Sequence, residues 1–307
     1  MYTRSHPSFL LKLSVWIIIL VSGIILFTTL KSILAKNSGI ISPLPLENSQ
    51  PSVKNKIKDP QELIQKITEL TSKQQGVYSI YIYDLSKNTG YGINETTIFT
   101  AASVNKIPIL AALYFETQKG NIDLDKRITL QASDIQDYGT GSLRYEGPGG
   151  VYSLKTLAQL MIEKSDNTAA YVLTTVIGEA RIQESVNSWG LTQTDIRNNK
   201  TSPKDMALLL SKMYKRQITS EAQSTEMIGF MDKSDFENRL PALLPKDVSV
   251  YHKIGNEIGN VHDVGIIAFA NHPYILSVMT NDITDEPTAE NAIAQISKMV
   301  FDFMKEL

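Results

Sequence analysis

The feature that most limits the fold is where the extended segments fall. Residues 77–85 read Val-Tyr-Ser-Ile-Tyr-Ile-Tyr-Asp-Leu, a β-branched and aromatic run. A polar turn ending at Gly90 follows, and Tyr91-Gly92-Ile93 resumes an extended course, so the pair reads as a hairpin. The other strand-like runs come only near the far end, at 248–253, 264–270 and 274–280. Between them the pattern is helical. Ser153 caps a stretch with Leu154, Leu157, Ala158 and Met161 on one face, and Ser202-Pro203 starts another with Met206, Leu209, Leu210 and Met213. Asp59-Pro60 opens an outer helix carrying Leu63, Ile64, Ile67 and Leu70, and a last helix presents Ile293, Ile296, Val300 and Phe303. A sheet whose strands come from both ends cannot form until the whole body is present. The pattern predicts an α+β fold: a five-stranded antiparallel sheet covered by the terminal helices, with an all-helical subdomain beside it. Residues 59–307 are expected to be one cooperative unit.

The segment before this body has another character. From Leu13 to Leu30 there are 18 residues without a charge, flanked by Lys12 and Lys31. At roughly 1.5 Å per residue they span about 27 Å, close to the hydrocarbon thickness of a bilayer. Two readings stand. Residues 13–35 are a transmembrane signal anchor with 1–12 in the cytoplasm and the body outside, or they are a signal peptide cleaved near Ala35 that releases the body. Residues 36–58, with Ser42-Pro43-Leu44-Pro45 and Ser49-Gln50-Pro51-Ser52, read as an extended linker. Charge follows the same division. Residues 1–36 hold Arg4, Lys12, Lys31 and Lys36 and no acid; removing those four from 30 leaves 26 Lys and Arg against 32 Asp and Glu, a body of net −6. An acidic body argues against a nucleic-acid partner. With no cysteine, disulfides, thiolate chemistry and a lipoprotein anchor are excluded, and a count of only four histidines argues against a His-rich metal centre. No cofactor is expected, and a monomer is.

Three short motifs carry chemistry. In Ala102-Ser103-Val104-Asn105-Lys106 a serine and a lysine three residues apart share one helix face. A serine hydroxyl is a poor nucleophile until a nearby base takes its proton, and a lysine serves if burial or a neighbouring cation depresses its pKa. The second motif is Ser165-Asp166-Asn167, after the Ser153 helix. The third is His252-Lys253-Ile254-Gly255 on a strand.

The ordered set resembles that of the class A β-lactamase family, whose motifs are Ser-x-x-Lys, Ser-Asp-Asn and Lys-Thr-Gly. The likeness covers about residues 60–307. It includes the helix running from Tyr152-Ser153-Leu154 into the second motif, Thr201-Ser202-Pro203-Lys204-Asp205-Met206, Arg239-Leu240-Pro241-Ala242 and Tyr274-Ile275-Leu276. The resemblance implies that Ser103 attacks an acyl carbonyl and that Lys106 eases removal of its proton. Ser165 relays a proton to the leaving nitrogen, Asn167 bonds the substrate and Lys106, and Lys253 supplies positive potential. Gly255 and Asn256 border the substrate, and the backbone N–H groups of Ser103 and Asn256 form an oxyanion hole, commonly worth ~3–4 kcal/mol per donor. Membrane attachment and a small-molecule or peptide substrate complete the expected partners.

Two departures qualify this. Ile254 stands where the family has the hydroxyl that binds the substrate's carboxylate, and the next strand, at Asp263-Val264-Gly265, offers no arginine. The family's Glu-x-x-Leu-Asn, which activates water to clear the acyl-enzyme, is not found either. The stretch from Trp189 to Thr201 is short, and its one acid, Asp195, reads first as a solvated loop acid and second as a substitute base. The expected activity is therefore acylation of Ser103 by a β-lactam or a cell-wall-type amide, with slow hydrolysis. The alternatives are a penicillin-binding, DD-peptidase-like enzyme and a non-catalytic surface module for peptide or glycan.

Overall fold

The computed structural model describes residues 59–232, 234–269 and 272–307. The expected segments 1–12, 13–35 and 36–58 lie outside the described residues, among which no helix is long and apolar enough to cross a membrane. The body from Lys56 to Leu307 is one compact unit.

Its elements run α1 (Pro60–Thr71), β1 (Val77–Asp84), β2 (Thr89–Ile93), β3 (Phe99–Thr100), a 3₁₀ turn (Ala102–Asn105), α2 (Lys106–Gln118), β4 (Arg127–Thr129), α3 (Leu143–Glu146), β5 (Val151–Ser153), α4 (Leu154–Glu163), α5 (Asn167–Ile177), α6 (Glu179–Ser188), β6 (Lys200–Thr201), α7 (Pro203–Tyr214), α8 (Glu221–Phe230), β7 (Ser249–Glu257), β8 (Asn260–Ala268), β9 (Tyr274–Asn281) and α9 (Glu286–Met304). The main sheet is five-stranded and antiparallel, in the order β2-β1-β9-β8-β7. The N-terminal hairpin therefore pairs with the C-terminal strand, and the sheet closes only when both ends of the body meet.

Each face of the sheet has its own core. Leu63 and Ile67 of α1 and Ile293, Ile296, Val300 and Phe301 of α9 pack on Ile80, Ile82, Leu276 and Val278. The opposite face, with Val264, Ile266, Ile275 and Met279, joins the larger core around α2, α4, α5 and α7. The terminal helices thus cover one face and the helical subdomain adjoins the other. The helices start where the capping residues stand: Asp59 Oδ1 accepts from Gln61 N at 2.9 Å, Ser153 Oγ from Thr156 N at 3.0 Å, and Ser202 Oγ from Asp205 N at 3.1 Å.

The C-terminal strands depart from the sequence expectation. β7 continues to Glu257, past the third motif, and β8 starts at Asn260 instead of Val264. Asn260, His262 and Asp263 break the apolar pattern yet are buried, and hydrogen bonds offset the burial of His262 and Asp263. His262 accepts from Thr280 N and donates to Thr100 O, while Asp263 accepts from Leu240 N. The two strands meet in a tight hairpin, with Glu257 paired to Asn260.

Candidate active site

The first two motifs converge on one amine. Ser103 lies in the 3₁₀ turn and Lys106 is the first residue of α2, so the short turn and the helix start together aim both side chains the same way. Ala102, just before the serine, has φ 49°, a left-handed conformation that costs a non-glycine residue of order 1–3 kcal/mol. Ser165, in the tight link between α4 and α5, has φ 53°. Asp166 caps α5, its Oδ1 accepting from Ala169 N at 2.9 Å, and its Oδ2 accepts from Leu143 N at 2.9 Å. These bonds set the two flanking residues, Ser165 and Asn167, toward Lys106.

The Lys106 amine lies 3.0 Å from Ser103 Oγ, 2.6 Å from the Ser165 carbonyl oxygen, 3.1 Å from Ser165 Oγ and 2.7 Å from Asn167 Oδ1. Asn167 Nδ2 donates to Tyr138 O at 3.0 Å, which fixes the amide so that its oxygen faces the lysine. Burial, and next the positive charge of Lys253, hold the Lys106 pKa well below the ordinary lysine value, against the pull of Asp166. A neutral amine has two hydrogens and one lone pair. The Ser165 carbonyl and the Asn167 amide oxygen can only accept, so they take the two hydrogens. The lone pair is left for a hydroxyl, and Ser103 Oγ is in reach. The arrangement can therefore take the serine's proton.

β7 passes directly behind this group. A Cβ at Gly255 would lie 2.9 Å from Ala101 O and 3.0 Å from Val104 Cγ2, so only glycine lets the strand approach the Ser103 turn this closely. Lys253 and Gly255 are buried beneath the cleft, not exposed on its wall. Burial pushes Lys253 down to about 7, opposed by Asp263 and reinforced by Arg239. His262 anchors the same region. Burial pushes it down to about 4, and as a neutral ring it donates from Nε2 to Thr100 O at 2.8 Å, just ahead of the Ser103 turn.

A cleft of about 830 Å³ opens over these residues. Ser103, Lys106, Ser165 and Asn167 line it together with Ile254 and Asn256. Its carboxylates among the lining residues are Glu257, Glu286 and Glu290, all at the β7–α9 end. Asp195 lies elsewhere. It pairs with Asn198 through backbone and side chain, and it lines a separate groove of about 660 Å³ beside α6. Its loop is pinned from below by buried Asp205, which accepts from Gln193 N at 2.7 Å and Thr194 Oγ1 at 2.8 Å. This placement goes with Asp195 as a loop acid and not as a substitute for the missing glutamate.

Sequence reasoning missed two parts of the site. The loop holding Tyr138, Gly139 and Thr140 closes over Asn167 and Ser165, with Thr140 Oγ1 donating to the Ser165 carbonyl at 2.7 Å. A Cβ at Gly139, where φ is +69°, would lie 2.3 Å from Asn167 Nδ2. The alternation Gly139-Thr140-Gly141 was the available signal for a tight loop. The second omission is Arg239. No arginine comes from the next strand, as the sequence indicates, but Arg239 reaches the cleft from the segment before β7. Its position in the chain gives no hint of this.

Comparison with known proteins places these features in a wider setting. A family model described as the beta-lactamase enzyme family matches residues 62–304. A beta-lactamase of Bacteroides uniformis is 26% identical over 273 residues, covering 80% of this chain and 92% of its own. The solved structure of PBP-A superposes with a TM-score of 0.75 at 29% identity, over 86% of this chain and all of that one. A mutant of PBP-A, solved as an acyl-enzyme complex with penicillin G, gives the same TM-score of 0.75 at 28% identity.

Proposed function

The chain belongs to the beta-lactamase enzyme family, and from that premise we propose that it is a serine acyl-transfer hydrolase acting on a β-lactam or a cell-wall-type amide. The observation that carries this reading is the Lys106 amine, with its two hydrogens committed to carbonyl oxygens and its lone pair left to Ser103. The step runs as follows. The Ser103 hydroxyl gives its proton to Lys106 as Oγ bonds to the acyl carbon. The tetrahedral oxyanion rests on the backbone N–H groups of Ser103 and Asn256. The C–N bond then breaks, and the departing nitrogen takes a proton through the Ser165 hydroxyl, replenished from Lys106. An ester on Ser103 and a free amine remain.

Deacylation needs a water and a base. The cleft's carboxylates stand at the β7–α9 end, and Asp195 faces another groove. This supports a long-lived acyl-enzyme, nearer to a penicillin-binding, DD-peptidase-like enzyme than to an efficient β-lactamase. The 13–35 segment would hold or deliver this body outside the membrane, with 36–58 as its tether. Intact-mass spectrometry of the full chain with a penicillin tests the reading. One penicillin mass is expected on the wild type, persisting for hours, and none on Ser103→Ala. No adduct with any β-lactam or acyl-peptide probe would refute the enzymatic reading. Rapid turnover of a chromogenic cephalosporin would refute the slow second step.

A further inference from the structure

The cleft does not stop at the edge of the sheet. Alternation along β7 puts Lys253 and Gly255 on the face toward the helical subdomain, and Ile254 and Asn256 on the face covered by α9. Since β7 is an edge strand, the cleft wraps around it and ends against the first turn of α9. Arg239 is at this end.

The Arg239 side chain is only 1% exposed, and the structure accounts for its donors. Nη1 donates to His262 O at 2.7 Å, Nη2 to the side-chain oxygen of Asn256, and both Nη2 and Nε to Glu290 Oε1, at 3.0 and 3.2 Å. Glu290 is itself 18% exposed, so it and the guanidinium form a nearly buried pair of zero net charge. That pair satisfies the cost of burying the cation.

Glu286 is a second carboxylate on a cation that already has one. It is half exposed, its Oε1 lies 3.4 Å from Arg239 Nη2, and it accepts from the side-chain amide of Asn256. An arginine N–H and an amide N–H converging on one carboxylate oxygen are the donors with which a protein recognises a carboxylate ligand. Here the cleft's own side chain occupies them. Nearby, Ile254 offers no hydrogen bond and Glu257 adds another acid at the lip.

We propose that Glu286 is a specificity-determining residue: it holds the carboxylate-recognition position on Arg239 and Asn256, so the cleft favours ligands whose end at this position is an amide, ester or ammonium over ligands with a free carboxylate. The proposal rests on the acyl-transfer reading for the orientation of the ligand, with its carbonyl at Ser103 and its far end at Arg239. A carboxylate ligand must displace Glu286 or lie against it; a neutral or cationic end need do neither.

Binding in the absence of chemistry separates this proposal from the acyl-transfer reading. In the full chain carrying Ser103→Ala, the Kd values of penicillin G and of its methyl ester are measured by calorimetry, with and without Glu286→Gln. The glutamine keeps the oxygen that Asn256 and Arg239 need and removes the charge. The ratio of the two Kd values is expected to shift about tenfold toward the free carboxylate, which corresponds to about 1.4 kcal/mol. Glu286→Ala is expected to shift it the same way, with thermal melting reporting that the fold persists. An unchanged ratio overturns the proposal. So does an equal shift for both ligands, which would mark a merely structural role, and so does a failure of either ligand to bind either protein. Acylation itself is judged on the wild-type serine, so its loss and the loss of this selectivity are distinct results.

Discussion

The two ends of the cleft are built on opposite plans. At the Ser103 end, one amine is surrounded by four oxygens from two short stretches of chain, and no carboxylate touches it. At the Arg239 end, one cation meets two carboxylates, and its partners come from positions 255, 256, 262, 286 and 290. The first plan leaves a lone pair free to move a proton. The second spends its charges on each other and leaves a surface that selects what lies beside it. A site can thus keep its chemistry while its recognition surface changes, because the two use separate side chains.

The largest expected effect breaks the first plan. Lys106→Ala removes the base and leaves Ser103 without an acceptor for its proton. Acylation by a penicillin should fall by ~10³-fold, as for loss of a positioned base. Circular dichroism should remain that of a folded protein, because Lys106 is not part of a buried ion pair. Retention of acylation within tenfold of wild type would show that another group takes the proton, and the contrast between the ends would lose its chemical half.

These plans differ in legibility for a physical reason. Ser103 with Lys106, and Ser165 with Asn167, are neighbours in sequence because one helix start presents each pair. Local spacing therefore reports their geometry. That one sheet draws its strands from both ends was readable too, since the strand-forming runs stand only there; the strand order came with the fold. Arg239, Glu286 and Glu290 carry no such spacing. Arg239 lies before an edge strand and the glutamates on a helix that reads from sequence as a plain amphipathic cover, and only the folded sheet brings them together. The start of β8 was misplaced for a related reason: its polar residues find hydrogen-bond partners only after folding.

A second test addresses what supports β7 at the recognition end. Buried His252 lies on the same strand face as Ile254, with Nδ1 2.9 Å from Asp263 Oδ1 and Nε2 3.6 Å from Glu237. Burial disfavours its charge, but Asp263 and then Glu237 outweigh that and raise it to about 9. A raised histidine stabilises fully below its unfolded value of about 6.5 and loses that contribution as pH rises through about 9. Lys106 and Lys253 act in the opposite sense, because their lowered values make the folded state bind fewer protons than the unfolded chain at alkaline pH. The difference between wild type and His252→Asn isolates the histidine. In urea unfolding, the advantage of wild type should shrink by roughly 3 kcal/mol between pH 6 and pH 10. A difference that stays constant with pH would mean that His252 is neutral in the folded protein and that β7 is held by packing alone.

The smallest expected effect concerns a residue outside both ends. Asp195 is half-buried at the surface, and Asn198 and its own turn hold its carboxyl below the usual aspartate range, first through the Asn198 backbone and then its side chain. A carboxylate so stabilised is a weak base, and it faces the groove beside α6 and not the Ser103 cleft. Asp195→Asn should change the lifetime of the acyl-enzyme by less than about threefold, followed by intact mass after excess penicillin is removed. A tenfold longer lifetime would place Asp195 on the path of the hydrolytic water. The loop from Trp189 to Thr201 would then have to move toward Ser103 during turnover, against the bonds by which Asp205 pins it, and the cleft would need a third working region.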